Sequence, residues 1–503
     1  MPLEMEAVVE ETPLTQRAAA LRRAGRAEEA LDVSRSAIDA GEPRDEALVE
    51  LGNALHDLGR LEQAAHAYEE AAACAPRNAR ALFNLGVVLH RLGRNDDAAR
   101  RYASALDAEP TMTRAWVNWG NVLKDGGDLQ GAASMYAKAL ALDARDRHAL
   151  NNLATIALDR GDLAQAELLY ERAAAADPSA ADAPYNLALI ALRRGELARG
   201  WVGYELRFRT DPPVARLRPP RLAPAPPHFE GVRRLAVRME QGVGDQLLFS
   251  TLLPELGERV PHLVVEADPR LRAAYARSLP GIEFVSTEDA GAALEGCEAE
   301  VALGSLPGEF RRVIEAFERQ PPALLRADAG RVAQMRARLG AGPNVAIAWH
   351  SFQGAGRKHI ENRKSPGLER FGALANSGAR LVDVQYGDVQ AERDAFDRRH
   401  PGLRVELEGL DRFHDLEGVM AAIEACDLVV TPSNVTAHLA GALGKRTWLV
   451  FPSASPPMYY WGAARDGRSL WYPSVEMVTD SAWSDWPAVF DYVAAKVARG
   501  TLA

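Results

Sequence analysis

The chain has 503 residues, of which 47% are hydrophobic and 25% are charged. This balance is typical of soluble globular domains and excludes a largely disordered or collagen-like chain. A formal net charge of −10 argues against nucleic acid as the main partner, because a phosphate backbone requires a basic face. The sequence contains no apolar run of about 18 residues and no basic leader before an apolar core, so we expect a cytoplasmic protein without a transmembrane segment.

A 34-residue period runs through the N-terminal half. It relates Leu-Gly-type pairs starting at positions 51, 85, 119, 153 and 187, glycines at 59, 93, 127, 161 and 195, and tyrosines at 68, 102, 136, 170 and 204. The second glycine ends a helix, since a residue without Cβ enters the left-handed region most easily. The pattern resembles the tetratricopeptide repeat and predicts an all-helical α-solenoid. We assign residues 1–213 to this array, with a degenerate cap at about 14–44 and repeats at about 45–213.

Asparagines recur with the same period at Asn84, Asn118, Asn152 and Asn186. Each side-chain amide both donates and accepts hydrogen bonds, so a groove lined by them could bind the backbone of an extended protein or peptide acceptor. The alternative is that these side chains satisfy polar groups between neighbouring helices. The sequence favours neither interpretation over the other.

A proline-rich stretch ends the repeats, with seven prolines between positions 212 and 227. It predicts a stiff, extended linker at 214–230. Beyond it, apolar runs alternate with helical patterns, which predicts parallel sheets covered by helices on both faces. The predicted strands lie at 235–239, 263–266, 282–285, 301–303, 345–349, 381–385, 428–431 and 448–451.

A second break, near 320–329, divides this region into two doubly wound α/β halves, 231–328 and 329–503. The second half is expected to end in a helix. In open α/β sheets, ligands bind beyond the carboxyl ends of the strands. We therefore expect one cleft between the two halves.

Three clusters of residues follow predicted strands. The first is a turn with Gly242 and Gly244 directly before Asp245 and a helix, where exposed backbone N–H groups suit an anion or a sugar. The second is a loop with four basic residues in eight positions, ending at Arg363 and Lys364. Its charges could bind a diphosphate or could lie on a solvated surface. Asp245 also has an alternative role as a helix cap.

The third cluster starts a helix after the strand at 428–431. Its small hydroxyl and amide groups suit phosphate or ribose oxygens, and it contains Ser433, Asn434, Thr436 and His438. His438 has the alternative role of a packed core residue.

Together these clusters resemble the heptosyltransferase-type glycosyltransferases over roughly residues 231–480. The repeats, with Gly200-Trp201 and Tyr204-Glu205 in the last one, are similar to a bacterial group of tetratricopeptide-repeat proteins with a glycosyltransferase-like end. The resemblance implies a GT-B fold of two Rossmann-like halves, with Asp245 as the catalytic base. It also implies donor binding by Gly242, Gly244, Arg363, Lys364, Gln385, Ser433, Asn434, Thr436 and His438.

The sequence thus predicts a glycosyltransferase that moves a sugar from a nucleotide-diphosphate donor to a protein acceptor recruited by the repeats. One base and direct displacement predict inversion at the anomeric carbon. No carboxylate pair of metal-binding type stands out, so neither a metal nor a cofactor is expected, and the nucleotide-sugar is a substrate. One alternative is a non-catalytic scaffold with a degenerate GT-B domain, which Ser433 favours because the family has Asp there. The other is a lipopolysaccharide-core transferase, which the peptide groove disfavours.

Overall fold

The computed structural model describes residues 12–217, 222–351, 364–453, 458–462, 464–480, 482–483 and 485–499. They form two compact units, one ending at Ile156 and the other beginning at Ala157. None of the helices in these ranges is both long and apolar enough to cross a membrane.

The first unit is built from helices throughout its described residues, and consecutive helices pack against each other. They are α1 Leu14–Arg23, α2 Ala27–Asp39, α3 Arg44–Asp57, α4 Leu61–Cys74, α5 Ala79–Arg91, α6 Asn95–Ala108, α7 Thr113–Asp125, α8 Leu129–Leu142 and the start of α9 Arg147–Asp159. The prediction of a helical solenoid with a 34-residue repeat is confirmed.

Close packing inside each repeat depends on a glycine that faces a tyrosine. A Cβ atom added to Gly86 would lie 2.7 Å from Cε1 of Tyr102, which is closer than two non-bonded carbon atoms approach each other. The tyrosine ring is buried and fills the space between the two helices. The equivalent pairs are Gly52 with Tyr68 and Gly120 with Tyr136.

Two of the predicted asparagines, Asn84 and Asn152, form hydrogen bonds to the preceding repeat. Asn84 Nδ2 donates to Asn53 Oδ1 at 2.9 Å, and the Tyr68 hydroxyl donates to the same oxygen at 2.7 Å. The sequence left open whether these asparagines bridge helices or bind an acceptor, and the bridging role is present here.

The same arrangement recurs two repeats further on. Asn152 Nδ2 donates to Asn121 Oδ1 at 3.0 Å, and the Tyr136 hydroxyl donates to it at 2.8 Å. Asn121 Nδ2 in turn lies 3.5 Å from Asn118 Oδ1. The predicted asparagines remain half-buried, so their contact with an acceptor stays a prediction.

The second compact unit begins with the last repeats, ahead of residue 213, where the predicted repeat array ends. Its first helices are the end of α9, α10 Leu163–Ala176, α11 Asp182–Arg193, α12 Leu197–Tyr204 and a 3₁₀ turn at Glu205–Phe208. Helix α11 carries Asn186. The boundary differs because side chains of α12 pack into the core of the α/β region.

The first sheet is parallel and has the order β3-β2-β1-β4. Its strands are β1 Arg234–Arg238, β2 His262–Glu266, β3 Glu283–Val285 and β4 Ala299–Ala302. Its helices are Val243–Ser250, Leu253–Gly257, Arg272–Ser278, Ala290–Ala293 and Pro307–Phe310, with 3₁₀ turns at Pro227–Phe229, Leu303–Ser305 and Ile314–Arg319.

The predicted linker is partly built into this sheet. The Ala225 N–H donates to the Glu300 carbonyl, and the Glu300 N–H donates to the Ala223 carbonyl, each at 2.8 Å. Residues 223–225 therefore lie along the edge of β4 and are not a free connector.

The second sheet has the order β10-β11-β12-β9-β8-β5-β6-β7. Its strands are β5 Asn344–Ile347, β6 Arg380–Asp383, β7 Arg404–Val405, β8 Leu428–Thr431, β9 Thr447–Val450, β10 Ala464–Arg465, β11 Arg468–Ser469 and β12 Val475–Val478. The run from β12 to β7 is parallel, and β10 and β11 form an antiparallel edge. Its helices are Ala329–Leu339, Gln390–Arg399, Leu416–Ala425, Val435–Ala442, Tyr459–Gly462 and Trp486–Ala498, with a 3₁₀ stretch at Leu368–Leu374.

We expect Gly86→Ala to lower the free energy of unfolding by about 1–3 kcal/mol, because overpacking against Tyr102 outweighs the roughly 1 kcal/mol gain in helix propensity. The matched control is Gly126→Ala, where the added Cβ would meet only two carbonyl oxygens at 3.5 Å. That variant should be as stable as the parent or slightly more so. Urea unfolding followed by circular dichroism measures both, and equal effects would contradict this account of the repeat packing.

Candidate active site

Both sheets have a point where the strand order reverses. In the first sheet β1 lies between β2 and β4, and in the second β5 lies between β6 and β8. Ligands of doubly wound sheets bind beyond the carboxyl ends of the strands at such a point. The turn with Gly242 and Gly244 follows β1, and Ser433 and Asn434 follow β8. Two of the three predicted clusters therefore lie where a ligand is expected.

The helices that start at these two points pack against each other. A Cβ atom added to Gly244 would lie 3.0 Å from Cδ2 of His438. The glycine thus allows the first helix turn of one half to contact the other half closely. The structure brings together Gly244 and His438, which are far apart in the sequence.

Asp245 lies in the first turn of the Val243–Ser250 helix and is half-buried. The N-cap residue of this helix is Gly242, so Asp245 is not the cap. Burial and the nearby Glu240 carboxylate raise the pKa of Asp245 to about 7. This carboxyl group can therefore bind and release a proton near neutral pH.

Tyrosine side chains from two parts of the second unit lie near Asp245. Burial raises their pKa values, and the Asp245 carboxylate raises them further. They are Tyr185, Tyr204, Tyr459, Tyr460 and Tyr472. The first two belong to the last repeat and the others to the second α/β half.

His438 is 2% exposed, and desolvation lowers its pKa to about 3, so its ring is neutral. Its Nδ1 and Nε2 atoms lie 3.3 Å from the hydroxyls of Tyr472 and Tyr460, respectively. The ring also packs against Trp461. The structure thus places His438 in the core, and its predicted contact with a donor would require one of these hydrogen bonds to break.

Asn434 caps the Val435–Ala442 helix and joins two strand ends. Its Oδ1 accepts from the Ala437 N–H at 3.2 Å and from the Thr431 hydroxyl at 3.0 Å. Its Nδ2 donates to the His350 carbonyl, just beyond β5, at 3.0 Å. Asn434 therefore fixes the geometry of the reversal point in the second sheet.

Two other predicted donor-binding residues also have protein partners. Ser433 Oγ accepts from Trp461 Nε1 at 3.0 Å. The Gln385 side chain is fully buried, and its Oε1 accepts from the N–H groups of Trp349 and His350 at 2.7 Å each. Thr436 is 2% exposed. These residues shape the loops around the reversal point, and their contact with a donor stays a prediction.

The basic loop is only partly described, and Arg363 lies outside the described residues. Lys364 is half-buried, and its Nζ lies 3.7 Å from Sδ of Met458. Met458 directly precedes the helix that contains Trp461, the partner of Ser433. Lys364 and Ser433 thus both contact the segment 458–462, and their predicted role in a common donor pocket stays a prediction.

A small cavity of about 170 Å³ lies between the two halves. It is lined by Val243, Arg270, Tyr386, Arg412, Phe413, Leu416 and Val435. The sequence analysis missed Arg270, Tyr386 and Arg412, although each follows the carboxyl end of a strand. For Arg270 and Tyr386 that position was an available signal, whereas Arg412 follows β7, a strand that the sequence did not predict. Among the described residues, no group of His, Cys, Asp or Glu is placed to hold a metal ion.

Trp201 of the last repeat packs at the centre of the same region. Its Nε1 donates to the Arg311 carbonyl at 2.9 Å. Its ring makes edge contacts, with centroid separations of 5.4 to 6.2 Å, to Tyr204, Phe249, Tyr459 and Trp471. The last repeat therefore shares one core with both α/β halves.

Family models for the tetratricopeptide repeat match residues 52–93, 81–114, 117–181 and 151–208. The predicted repeats in the N-terminal region are thereby confirmed, and such repeats bind other proteins. The chain is also 30% identical over 285 residues to Protein FlbA of Caulobacter vibrioides. That alignment covers 52% of this chain and spans 46% of the length of FlbA.

Several solved structures are similar to parts of the chain. PilF of Pseudomonas aeruginosa is 20% identical, with a TM-score of 0.35, and the match covers 39% of this chain and 88% of PilF. A thermophilic repeat protein of Thermus thermophilus, TTC0263, is 23% identical, with a TM-score of 0.32. The match covers 36% of this chain and 97% of TTC0263. MamA of Desulfovibrio magneticus RS-1 is 20% identical, with a TM-score of 0.30. The match covers 33% of this chain and 94% of the MamA chain.

The raised pKa of Asp245 predicts a characteristic pH dependence of stability. In the folded protein this group keeps its proton up to about pH 7, whereas its ordinary pKa is 3.8. Its stabilising effect is therefore complete below the ordinary value and is lost as the pH rises through about 7. Asp245→Asn stays neutral, so its melting temperature should exceed that of the parent by an amount that grows between pH 4 and 8.

Asp268→Asn is the matched control. Hydrogen bonds from Arg270 lower the pKa of Asp268, so this substitution should reduce stability at neutral pH and have least effect in acid. Differential scanning fluorimetry across pH measures both variants. A constant difference for Asp245→Asn would show that the group titrates normally.

Proposed function

We propose that the chain is a glycosyltransferase of GT-B type that transfers a sugar from a nucleotide-diphosphate donor to a protein acceptor. The observation that carries this proposal is the position of Asp245. Its half-buried carboxyl, with a pKa of about 7, lies in the helix turn where the two doubly wound halves meet through Gly244 and His438. A base placed between two such halves is what the transfer requires.

The strand orders support this assignment of the fold. Counted along the chain, the first sheet has the order 3-2-1-4 and the parallel part of the second has 3-2-1-4-5-6. The second is the order of the dinucleotide-binding fold. Two halves of this kind, each with a loop at its reversal point, match the architecture that the sequence resemblance implies.

The chemistry needs a base for the acceptor. A hydroxyl group loses its proton as its oxygen attacks the sugar carbon, and a positioned carboxylate that accepts this proton contributes about 10²–10⁴-fold to the rate. The most effective base has a pKa near the working pH, and Asp245 meets this condition. Attack by one hydroxyl in a single displacement inverts the anomeric carbon.

The leaving nucleoside diphosphate needs positive charge. Lys364, together with Arg363, supplies cations, and the N-terminus of the Val435–Ala442 helix supplies a favourable dipole. Arg270 and Arg412 line the cavity between the halves. These groups would bind the donor mainly on the second half, with Asp245 on the first.

The repeats would recruit the acceptor. A stack of tetratricopeptide units presents an extended surface for a polypeptide, and a transferase acting on a small lipid-linked sugar would not need one. This consideration favours a protein acceptor over a lipopolysaccharide core.

A non-catalytic scaffold is the second candidate. It is favoured by the internal hydrogen bonds of Ser433, Asn434 and His438, which occupy side chains that the resemblance assigns to the donor. A panel of nucleotide-sugars distinguishes the two functions. Calorimetry would measure binding, and release of nucleoside diphosphate would measure turnover. Binding without turnover under any condition, or no binding, would favour the scaffold.

We expect Lys364→Ala to weaken binding of the nucleotide-diphosphate donor at least about tenfold, because one charge-assisted contact contributes about 1.5–3 kcal/mol. The control is Arg398→Ala, which removes an exposed cation on the Gln390–Arg399 helix of the same half. It should leave the affinity unchanged. If calorimetry gives the same affinity for Lys364→Ala as for the parent, Lys364 does not contact the donor.

Asp245→Asn should lower turnover about a hundredfold or more, because it removes the base. Donor affinity should be retained, since the donor groups lie mainly on the other half. In the parent, turnover should rise with pH through about 7, as Asp245 loses its proton. Initial rates from pH 5.5 to 9 test this, and full activity of the variant would exclude Asp245 as the base.

A further inference from the structure

The segment that ends the last repeat contacts the loop that carries Asp245. Arg207, in the 3₁₀ turn after α12, is fully buried, and its Nη2 lies 3.1 Å from Oε1 of Glu240, whose side chain is 2% exposed. Glu240 stands between β1 and the glycine turn. A buried arginine from the repeat array is thus paired with a carboxylate five positions before the predicted base.

Each partner of this pair is held by further hydrogen bonds. The Gly304 N–H, just after β4, donates to Glu240 Oε1 at 3.0 Å. Arg207 Nη2 also donates to the Ser305 hydroxyl at 2.8 Å, and Nη1 donates to the Tyr204 carbonyl at 3.2 Å. A Cβ atom at Gly304 would overlap the Glu240 carboxylate. The glycine therefore leaves the space that this carboxylate occupies.

A second contact joins the same two segments. Gln241 Nε2 donates to the Tyr204 hydroxyl at 2.7 Å, and Tyr204 is 1% exposed. Two consecutive residues of the loop, Glu240 and Gln241, are therefore bound by the last repeat. The loop continues directly into the helix turn of Asp245.

We propose that Arg207 of the last repeat is a positioning residue for Asp245, and that it acts through Glu240 by holding this carboxylate, with its charge compensated, beside the base. The inference rests on the proposed function only in naming Asp245 the base. It assigns a role to the Trp201-to-Arg207 segment beyond acceptor recruitment. The last repeat is then part of the catalytic centre.

Few charged groups compete with this pair around Asp245. The titratable groups that face it from the packed elements are Glu240, Tyr185, Tyr204, Tyr459, Tyr460 and Tyr472. The tyrosines have raised pKa values and are neutral at the relevant pH, as is His438 behind Gly244. Arg207 also pairs with the exposed Glu205 at 2.8 Å. Glu240 and Arg207 are therefore the buried charges whose removal should change the ionisation of Asp245.

The test measures proton binding by Asp245 and does not depend on turnover. Each protein is compared with its own Asp245→Asn derivative. The pH at which their difference in melting temperature levels off, here called the levelling pH, gives the apparent pKa of Asp245. In Glu240→Gln the carboxylate that raises the pKa of Asp245 is gone, while Arg207 stays, paired with the exposed Glu205. This pH should therefore fall by about one unit or more. In Arg207→Met/Glu240→Gln neither charge remains, and the pH should return towards the parent value.

The matched control is Glu255→Gln. Glu255 pairs with another buried arginine of the first half, Arg311, at 2.9 Å. This variant should lose stability and leave the levelling pH unchanged. If the double variant does not fold, Arg207→Lys provides the second test, because it keeps the cation and should keep the levelling pH near that of the parent.

An unchanged levelling pH in Glu240→Gln would overturn the proposal, as would a double variant that keeps the full shift, or a shift in Arg207→Lys as large as in Glu240→Gln. Failure of the proposed function is a separate outcome. A chain that transfers no sugar would still show the shift, because the measurement does not depend on turnover. Conversely, sugar transfer by Asp245 without any response to Glu240 would refute only the role of Arg207.

Discussion

The packing of Trp201 is the contact on which the second unit depends. A single indole ring from the last repeat contacts Phe249 on the first α/β half and Tyr459 and Trp471 on the second. Aromatic contacts in this edge-on geometry add about 0.5–1.5 kcal/mol each beyond the buried area. The last repeat and the two α/β halves all contact the Trp201 side chain, so the packing around this ring fixes their relative positions.

Buried ion pairs of arginine also fix the relative positions of segments in the second unit. Arg207, Arg238 and Arg311 are all almost fully buried, and each is paired with a carboxylate, as Arg238 is with Glu266 and Glu300. Loss of one partner of a buried pair leaves a charge without compensation and destabilises a protein by about 3–5 kcal/mol. Such pairs contribute little net stability, but they fix geometry, since few other arrangements satisfy both groups.

Much of the architecture could be predicted from the sequence, because periodicity reports which residues face a core. The repeats followed from a strict period, and all eight predicted strands overlap observed ones. Strands β7, β10 and β11 were missed because two residues are too few to show a pattern, and the four-residue strand β12 was missed as well. The division into compact units at 156–157 does not follow from the repeat pattern, because Trp201 packs against α/β residues that are far away in the sequence.

The candidate site was predictable only in part. Glycines before Asp245 indicate a turn at a helix start, and the structure has a helix starting at Val243 directly after Gly242. Arg207 carries no such signal, because its pairing with Glu240 forms only when the last repeat packs against the first sheet. His438 shows the opposite case: its position at a helix start suggested a ligand, whereas tyrosine hydroxyls provide its partners.

The short segment beside β4 has a consequence for how the protein behaves in a crowded solution. The carbonyl of Ala223 and the N–H of Ala225 both face Glu300, so the backbone of Pro224, between them, faces outward. Proline has no N–H to offer, and an edge without that donor is a poor template for another strand. The chain thus covers this edge of its first sheet with a segment that discourages pairing with a second molecule.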